Sequence, residues 1–503
     1  MKRRILQGAS VAAVLAVGAA LLIPSPASAY GPSTLYDPAS NQNSTSVGAM
    51  YPRAVQLAHS GTNNGKMYAT FQQNTTTTQV FPVYESTDSG ASWAKVGQVA
   101  DTQNGLGMNT NPHLYEVPKT IGALTEGTLL AAGISSPADN SKQFLDLYKS
   151  SDLGRTWTFL SHVTSAPNAG NGDPVWEPFI LVANDKVIVY YSDERDSAHS
   201  QKLVHETSTD GFNWSSPVDD VALADSSLRP GMPTVAQLDN GKWIMTYEIV
   251  GASGTPDNYQ ISDNPEIWNT TSSGTTITYG GSPYVVKLND GRIAMDGYDG
   301  SGTIFINSKK DLSGSWIKAS TPIASGYSRQ IVPLANGRLF LTSCRGFWES
   351  GSHPVTYADM PVPGTSATAV QLINRATSLA VDGYGAFTAG SNAKQNASNN
   401  GFNEQWTLIP SGNNFLIQNN GTGLYLDGYG RTASGSAVAQ YTLSNHPNQQ
   451  WVKVQSDNYV RFKNAATGLY LDGAGNTSNG SDLTQSTSSS AQSQQWTLTT
   501  PPS

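Results

Sequence analysis

Short stretches of alternating apolar and polar residues run along the whole chain, and no long segment shows the periodicity of an amphipathic helix. Several stretches lead into a turn such as Asp239-Asn240-Gly241 and then into a second apolar stretch such as Trp243–Ile249. Asn-Gly pairs favour tight hairpin turns because both residues tolerate positive φ. The stretches that recur through the first two thirds are Pro52–Leu57, Pro112–Val117, Pro178–Ala183, Pro233–Leu238, Pro283–Leu288 and Arg329–Leu334. We therefore expect an all-β protein built from antiparallel hairpins.

A tryptophan-bearing turn follows most of these hairpins. Ser86–Trp93 and Ser150–Trp157 both read Ser-x-Asp-x-Gly-x-x-Trp, and Ser208–Trp214 is one residue short of that motif. Six equivalent strand-rich units indicate a six-bladed β-propeller, since a β-sandwich gives no reason for such a repeat. The motif falls between the third and fourth strands of a blade, on the face opposite the mouth described below. We therefore interpret it as structural.

A second repeat, with a period of 45 residues, occupies the last third of the chain. Each unit has an aspartate followed by glycine and, further on, a Gln-x-Trp or Gln-Trp element whose tryptophan we assign to the core. The repeated residues are Asp382, Asp427 and Asp472, and Trp406, Trp451 and Trp496. Units of about 45 residues with short strands cannot bury their apolar faces alone, so three should close around a shared axis. This predicts a β-trefoil.

The composition of the connecting segments suggests the domain limits. Pro361, Pro363 and Gly364 interrupt the strand pattern between the two repeats. We predict a propeller over residues 30–360, a linker over 361–368 and a trefoil over 369–503.

The first 29 residues have the pattern of a cleavable export signal. Lys2, Arg3 and Arg4 precede the apolar run Val11–Ile23, and Ala27-Ser28-Ala29 follows it. The run has 13 residues, and a membrane-spanning helix needs about 20. We expect a secreted, extracellular protein that begins near Tyr30, and the paired arginines leave a twin-arginine export route open.

Composition and charge limit the possible partners. Charged residues make up 13% of the chain, about half the usual share, so the surface is neutral and polar and suits neutral glycans. A net charge of −8 without a basic cluster beyond the signal argues against a nucleic-acid partner. Cys344 is the only cysteine, which rules out an intrachain disulfide framework or a cysteine-rich metal site. We expect a monomer that binds polysaccharide and neither nucleic acid nor membrane.

One face of the propeller should collect the residues that carry chemistry. The start of a blade's first strand and the end of its second strand lie on the same face, because the two strands are antiparallel neighbours. Strand starts supply Arg53, His113, Trp176, Glu177, Tyr284, Tyr327 and Arg329, and second-strand ends supply Asp193, Glu248, Asp296 and Arg345. Carboxylates, aromatic rings and arginines are thus predicted to converge on one mouth.

Two of these acids stand on adjacent blades. Glu177 precedes Pro178 at the start of the third blade, and Glu248 ends the second strand of the fourth. Glycosidic cleavage needs two carboxyl groups: one protonates the leaving oxygen, and the other attacks the anomeric carbon or activates water. The alternative is that they only hydrogen-bond loop backbone at the rim of the propeller.

The segments Trp176–Phe179, Tyr190–Arg195, Tyr247-Glu248 and Gly326–Gln330 resemble those of glycoside hydrolase family 93, the exo-α-1,5-L-arabinanases. The resemblance covers residues 35–360 and implies a six-bladed propeller, related to sialidases, that releases arabinobiose from linear arabinan with retention of configuration. It implies Glu177 as nucleophile and Glu248 as acid/base, supported by Tyr327, although the two carboxyl roles stay open to exchange. The positions predicted to line the sugar subsites are Arg53, His113, Trp176, Asp193, Tyr284 and Arg329. No metal or other cofactor is required.

Two other functions remain open. An exo-sialidase would also have the tryptophan-bearing turns, known as Asp boxes, and Tyr51-Pro52-Arg53 in the first blade. It would need an arginine triad, however, for which only Arg53, Arg329 and Arg345 are available. A non-catalytic glycan-binding adhesin would be expected to lack one of the two glutamates, and both are present.

The trefoil resembles the ricin-type lectin domains of carbohydrate-binding family 13, which place one sugar pocket in each repeat. The middle repeat fits best, and its predicted sugar-binding residues are Asp427, Tyr441, Asn448 and Gln449. These supply acceptors, a stacking face and amide donors. The first repeat keeps Asp382 and Asn403 but has Glu404 in place of glutamine, and the third keeps Asp472 and Gln494 but lacks a clear aromatic residue. We expect one strong pocket and two doubtful ones.

Overall fold

The structure, a computed structural model, describes residues 29–346, 348–444 and 446–501. The predicted export signal lies outside the described residues except for Ala29. Six antiparallel sheets of four strands each precede one larger sheet of 14 strands. No helix in the described ranges is long and apolar enough to cross a bilayer. These features confirm the prediction of an all-β chain with a six-bladed β-propeller followed by a β-trefoil.

The propeller contains 24 strands. In chain order they are β1 (Ser33–Tyr36), β2 (Ser44–Gln56), β3 (Met67–Thr75), β4 (Val80–Ser86), β5 (Ala94–Ala100), β6 (Met108–Glu116), β7 (Leu129–Ser135), β8 (Gln143–Ser150), β9 (Thr158–Ala166), β10 (Val175–Ala183), β11 (Lys186–Asp193), β12 (Lys202–Ser208), β13 (Val218–Val221), β14 (Arg229–Gln237), β15 (Trp243–Val250), β16 (Pro256–Ser262), β17 (Thr275–Tyr279), β18 (Tyr284–Lys287), β19 (Ile293–Asp296), β20 (Thr303–Asn307), β21 (Trp316–Ser320), β22 (Gln330–Pro333), β23 (Arg338–Ser343) and β24 (Val355–Pro361).

The first five blades are formed by consecutive strands, from β2–β5 to β18–β21. The sixth blade combines the last three propeller strands with the first strand of the chain, in the order β1-β24-β23-β22. The N-terminal strand therefore closes the ring by completing the last blade, which leaves no blade with a missing outer strand.

The tryptophan-bearing turns join third and fourth strands, as predicted. Between β4 and β5, the Ser86 hydroxyl donates to Asp88 and accepts from the Gly90 amide at 2.8 Å. The Trp93 indole N–H then donates to the Gly90 carbonyl at 2.9 Å. All of these bonds lie within the turn, which supports the structural interpretation of the motif.

The propeller core lies between the faces of neighbouring blades. Ile188 and Tyr190 of the third blade pack in one buried cluster with Val235 and Met245 of the fourth. Because the inner strands are covered on both faces, they read as nearly continuous apolar runs. This is why the six recurrent stretches were recognisable.

The trefoil contains the remaining 14 strands. They are β25 (Gln371–Asn374), β26 (Ala380–Asp382), β27 (Lys394–Asn396), β28 (Trp406–Ser411), β29 (Asn414–Asn419), β30 (Tyr425–Asp427), β31 (Ser436–Ala437), β32 (Ala439–Tyr441), β33 (Trp451–Ser456), β34 (Tyr459–Asn464), β35 (Tyr470–Asp472), β36 (Ser481–Asp482), β37 (Thr484–Ser486) and β38 (Trp496–Thr499). The six short 3-10 helices of the described chain are Pro38–Ser40, Gly61–Asn63, Ala169–Asn171, Phe402–Glu404, Pro447–Gln449 and Gln492–Gln494.

Three tryptophans form the centre of the trefoil. Trp406, Trp451 and Trp496 are fully buried in one apolar cluster. Each indole N–H donates to a carbonyl 25 residues earlier in the chain: Val381, Leu426 and Leu471, respectively. The 45-residue repeat therefore gives three tryptophans with the same burial and the same indole hydrogen bond. This confirms that they are core residues.

The first trefoil repeat packs against the fifth and sixth blades. Phe402 is buried in the same cluster as Ile323 and Val362. The Asn403 amide N–H donates to the Ser320 hydroxyl at 2.8 Å, and Arg292 donates to the Pro363 carbonyl at 2.8 Å. The predicted linker, residues 361–368, begins at the last residue of β24 and ends before β25.

Candidate active site

One cavity on the mouth of the propeller contains both predicted catalytic glutamates. Its volume is about 570 Å³, a size that suits small-molecule or sugar ligands. Residues from the first, second, third, fourth and sixth blades line it. They include Tyr51, Asn111, Trp176, Glu177, Glu248 and Tyr327.

A ring of left-handed residues surrounds the propeller axis beside this cavity. One non-glycine residue in each of the first four inner strands, or just before the last two, has a φ between 49° and 63°. This inner ring consists of Tyr51, Asn111, Glu177, Met232, Ser282 and Ser328. Such conformations cost about 1–3 kcal/mol each and persist where the surrounding fold imposes them, often at functional sites. Here they turn one residue per blade toward the axis.

Glu177 is held by its own blade and by the next. The Ser192 hydroxyl of β11 and the Met232 amide of β14 both donate to its Oε2 at 2.9 Å. Strand pairing between β10 and β11 is irregular between Trp176 and Phe179, where the ring residue bulges out of the ladder. The bulge aims the carboxylate into the cavity.

Glu248 faces Glu177 across Gly231. It lies opposite Gly231 in the β14–β15 ladder, and its Oε2 accepts from the Ser282 amide at 2.7 Å. A Cβ on Gly231 would lie 3.5 Å from Glu177 Oε2 and 3.5 Å from Glu248 Oε1. These two oxygens are therefore within about 7 Å of each other, a limit that includes the spacing of about 5 Å found in retaining glycosidases.

The two carboxyl groups have different electrostatic surroundings. Burial raises the pKa of Glu177, but its two hydrogen-bond donors stabilise the ionised form. Burial, together with repulsion from Glu177, raises the pKa of Glu248 to about 8. Near neutral pH the arrangement therefore favours one negative charge on Glu177 and one proton on Glu248.

Two tyrosines and an asparagine form the wall beside Glu177. The rings of Tyr51 and Tyr327 are in edge contact, with centroids 5.5 Å apart. The side chains of Tyr327 and Asn111 both lie close enough to the Tyr51 hydroxyl to influence its pKa. Burial raises the pKa of both tyrosines, so their hydroxyls stay protonated over the working range of a glycosidase.

The second trefoil repeat brings its predicted sugar-binding residues together. The Asp427 carboxylate accepts from the Tyr429 amide at 2.7 Å, and the rings of Tyr429 and Tyr441 lie 5.8 Å apart. Asn448 is partly exposed beside them. Gln449, by contrast, is fully buried and donates to the Thr442 carbonyl at 2.8 Å, so it holds the loop behind the pocket.

The first repeat has its candidate pocket at the domain junction. The Asp382 carboxylate accepts from the Tyr384 amide and the Asn396 side chain, both at 2.6 Å. Asn403 donates to Ser320 of the propeller. Glu404 is buried and accepts from backbone amides, so it has a structural role.

The third repeat has lost the side chains that would face a sugar. Asp472 accepts from the Gln494 amide at 3.1 Å, and Gln494 donates to the Thr487 carbonyl at 2.8 Å. Ser486 and Ser493 occupy the positions that Tyr441 and Asn448 have in the second repeat. Only hydroxyls remain where the second repeat has a ring and an amide.

Two solved structures relate the propeller to known enzymes. The GH93 α-L-arabinofuranosidase of Fusarium graminearum, solved with arabinobiose, is 32% identical over 66% of this chain and 98% of its own, with a TM-score of 0.60. The chain belongs to glycoside hydrolase family 93. The Penicillium chrysogenum α-L-arabinanase, complexed with arabinobiose, is 33% identical over 66% of this chain and 98% of its own, with a TM-score of 0.59.

The C-terminal part of this family 93 protein matches a different family. The ricin-type beta-trefoil lectin domain-like family matches residues 361–441 and 447–502. A search of curated proteins found no match. The chain thus combines a glycoside hydrolase propeller with a lectin-like trefoil.

Three residues predicted to line the subsites lie beneath the cavity of the family 93 propeller. Arg53 donates to the Ser328 carbonyl and hydroxyl at 2.8 and 2.7 Å. His113 Nδ1 accepts from the Ile180 amide at 3.2 Å, and Gln330 donates to the Tyr284 hydroxyl at 2.8 Å. Arg53, His113 and Tyr284 line a smaller cavity of about 20 Å³ under Glu177.

Two further predicted residues are not brought to the cavity wall. Arg329 is buried in an ion pair with Asp296, at 2.7 Å from its Nε. Asp193 accepts from Arg195 at 2.7 and 2.8 Å. Strand position placed them on the correct face, but each charge is neutralised inside its own part of the propeller, because a buried charge needs a partner.

Trp176 does line the cavity, and it belongs to a network that the sequence analysis did not identify. Its indole N–H donates to Glu194 at 2.8 Å. Arg229 binds the same carboxylate with both terminal nitrogens, at 2.7 and 3.1 Å. Gln201 accepts from Arg229 at 2.8 Å. Glu194 directly follows Asp193 in the quoted motif, but Arg229 and Gln201 carry no motif of their own.

Proposed function

We propose that this chain is a secreted, retaining exo-α-1,5-L-arabinanase that releases arabinobiose from linear arabinan. The observation that carries the proposal is the pair Glu177 and Glu248 in one cavity, with hydrogen bonds that favour an ionised Glu177 and a pKa of about 8 for Glu248. Further support comes from the two family 93 relatives, which were both solved with arabinobiose.

Each glutamate has a defined role in this proposal. Protonated Glu248 donates its proton to the leaving oxygen while ionised Glu177 attacks the anomeric carbon, so the glycosidic bond breaks as an ester to Glu177 forms. Water then attacks that ester, Glu248 takes the water proton, and Glu177 is released as a carboxylate. Two displacements on the same carbon retain its configuration. Tyr327, in contact with Tyr51, supports the nucleophile.

The trefoil and the export signal complete the proposal. The second trefoil repeat holds the enzyme on plant cell-wall polysaccharide, through Asp427, Tyr441 and Asn448. Residues 1–29 direct the chain out of the cell, where such polymers are found. The low charge of the chain suits a neutral glycan.

Product analysis tests the activity. The protein is incubated with linear arabinan and, separately, with a sialyl substrate, and the products are separated by chromatography. We expect arabinobiose from arabinan, and loss of that activity in Glu177→Ala and Glu248→Ala. Release of sialic acid, or unchanged activity in both variants, contradicts the proposal. The sialidase alternative is disfavoured because the guanidinium groups of Arg53 and Arg329 are bonded within the protein.

Azide distinguishes the two glutamates. With a substrate that has a good leaving group, azide can replace water in Glu248→Ala at the ester stage and yields a glycosyl azide of retained configuration. In Glu177→Ala it attacks the sugar directly and yields the inverted azide. The opposite assignment of these two products would exchange the roles of the two residues.

A further inference from the structure

A second groove adjoins the catalytic cavity. Its volume is about 610 Å³. Val47 lines both the cavity and the groove, which places them side by side. The groove is lined largely by short polar residues: Asn41, Ser44, Thr45, Ser46, Ser350 and Ser352. Hydroxyls and amides of this kind donate to and accept from sugar hydroxyls.

An exposed tryptophan lies near wall residues of both spaces. Trp348 is 51% exposed, although large aromatic side chains are usually well buried. Its ring lies 4.8 Å from that of Tyr327, a wall residue of the cavity. The next residue, Glu349, lines the groove. Trp348 therefore lies next to a wall residue of the cavity and a wall residue of the groove.

The loop that carries this tryptophan is anchored by several bonds. The Tyr298 hydroxyl donates to Glu349 at 2.8 Å, and the Tyr298 ring lies 5.9 Å from that of Trp348. The Glu349 amide donates to the Gly346 carbonyl at 3.0 Å, and a His353 ring nitrogen contacts the Glu349 carbonyl at 2.9 Å. An aromatic ring held in a fixed orientation can stack on the apolar face of a sugar with little loss of conformational entropy.

We propose that Trp348 and this groove form a further sugar-binding subsite, which receives the arabinan chain beyond the scissile bond. The inference rests on the proposed function. An exo-acting enzyme takes the chain end into its cavity, so the rest of the polymer must leave along the adjoining surface. The groove offers polar side chains for the sugar hydroxyls, and Trp348 offers a ring for the sugar's apolar face. The subsite therefore binds the leaving part of the polysaccharide.

Substrate length provides the test. The kcat/KM of wild type, Trp348→Ala and Trp348→Phe is measured on arabinotriose, which leaves one sugar, and on arabinohexaose, which leaves four. We expect Trp348→Ala to lower kcat/KM on the hexaose about tenfold, as for loss of one aromatic contact, with little change on the triose. Trp348→Phe should restore most of the loss. Phe212→Ala is the matched control, because Phe212 is 47% exposed in a turn on the opposite face.

Two results would overturn the inference. An equal loss on both substrates would mean that Trp348 only positions Tyr327, and no loss on either would mean that the groove is not used. A wild-type protein that cleaves neither oligosaccharide would instead overturn the proposed function, and the subsite with it.

Discussion

Asn111 carries a buried amide oxygen that accepts no hydrogen bond from any described residue. Its conformation is left-handed, and it lines the cavity beside Tyr51. A buried acceptor without a partner costs about 1–3 kcal/mol, and a substrate hydroxyl in the cavity would remove that cost. We therefore expect Asn111 to accept a hydrogen bond from a substrate hydroxyl.

Substitution of Asn111 therefore should affect catalysis more than stability. We expect Asn111→Ala to lower kcat/KM on arabinan oligosaccharides about tenfold to hundredfold, while the loss of stability stays within about 1–2 kcal/mol, the cost of alanine at a positive φ. The matched measurement uses analogues that each lack one sugar hydroxyl. For the analogue that lacks the hydroxyl that donates to Asn111, wild type and variant should have the same low kcat/KM. An equal penalty with every analogue would contradict this role.

The pH dependence of the reaction should report the two glutamates. Activity requires Glu248 to be protonated and Glu177 to be ionised, so kcat/KM should fall on both sides of an optimum. Because the pKa of Glu248 is raised to about 8, we expect the decline on the alkaline side near that pH. This alkaline decline in kcat/KM should be smaller for a substrate with a dinitrophenyl leaving group, because that group leaves without being protonated. An alkaline limb that is unchanged in Glu248→Gln would contradict the assignment.

At the scale of single elements, the six inner strands were predictable because their apolar runs recur and five begin with proline. The left-handed residue stands just before that proline, at Tyr51, Asn111, Glu177, Met232 and Ser282. A sixfold comparison of these positions would have identified Tyr51 and Asn111 beside Glu177. No such pattern exists for Arg229 or Gln201, because their place at the cavity depends on how neighbouring blades pack.

The mouth arginines show the limit of the same reasoning. Strand position predicted the correct face for Arg53 and Arg329, but it does not say whether a side chain points into the cavity or under it. Both arginines lie within reach of internal partners, Ser328 and Asp296. The direction of each arginine side chain is set by a hydrogen-bond partner from another part of the chain, and a single sequence does not reveal that partner.

The first strand of the chain should contribute strongly to propeller stability, because β1 is the outer strand of the last blade. Tyr30 anchors its beginning: its amide donates to Asp359 at 2.7 Å and its hydroxyl contacts the Ser89 carbonyl at 2.5 Å. We expect Tyr30→Ala to reduce the free energy of unfolding by about 2 kcal/mol, roughly 1 kcal/mol for the lost hydroxyl bond and roughly 1 kcal/mol for ring packing, because alanine keeps the amide bond to Asp359. Denaturant unfolding measures it. Thr34→Ala on the same strand is the control, and an equal effect would contradict the anchor.

At the scale of the whole molecule, the propeller and the trefoil share a packed junction, which involves the predicted sugar-binding position of the first repeat. Phe402 is buried with propeller residues, and Asn403 donates to Ser320. Asn448, at the equivalent position of the second repeat, is partly exposed like Asn403, but among the described residues only Asn403 has a hydrogen bond to the propeller. The first repeat therefore retains Asp382 and Asn403 in the sequence, but its Asn403 is already bonded at the junction.

Polysaccharide binding by the trefoil should consequently depend on one repeat. In native gels that contain soluble arabinan, arabinoxylan or galactan, we expect the inactive Glu177→Ala protein to be retarded by at least one polymer. Adding Asp427→Ala should abolish the trefoil's share of that retardation, because its pocket combines an acceptor with two aromatic rings. Adding Asp382→Ala or Asp472→Ala should leave it unchanged, since Asn403 of the first repeat is already bonded to Ser320 and the third repeat has serine in place of the ring. Melting temperatures of the three variants exclude unfolding as the cause.

Loss of retardation in the Asp382 variant would mean that the first repeat binds the polymer in solution. The two domains would then have to separate at the Phe402 contact.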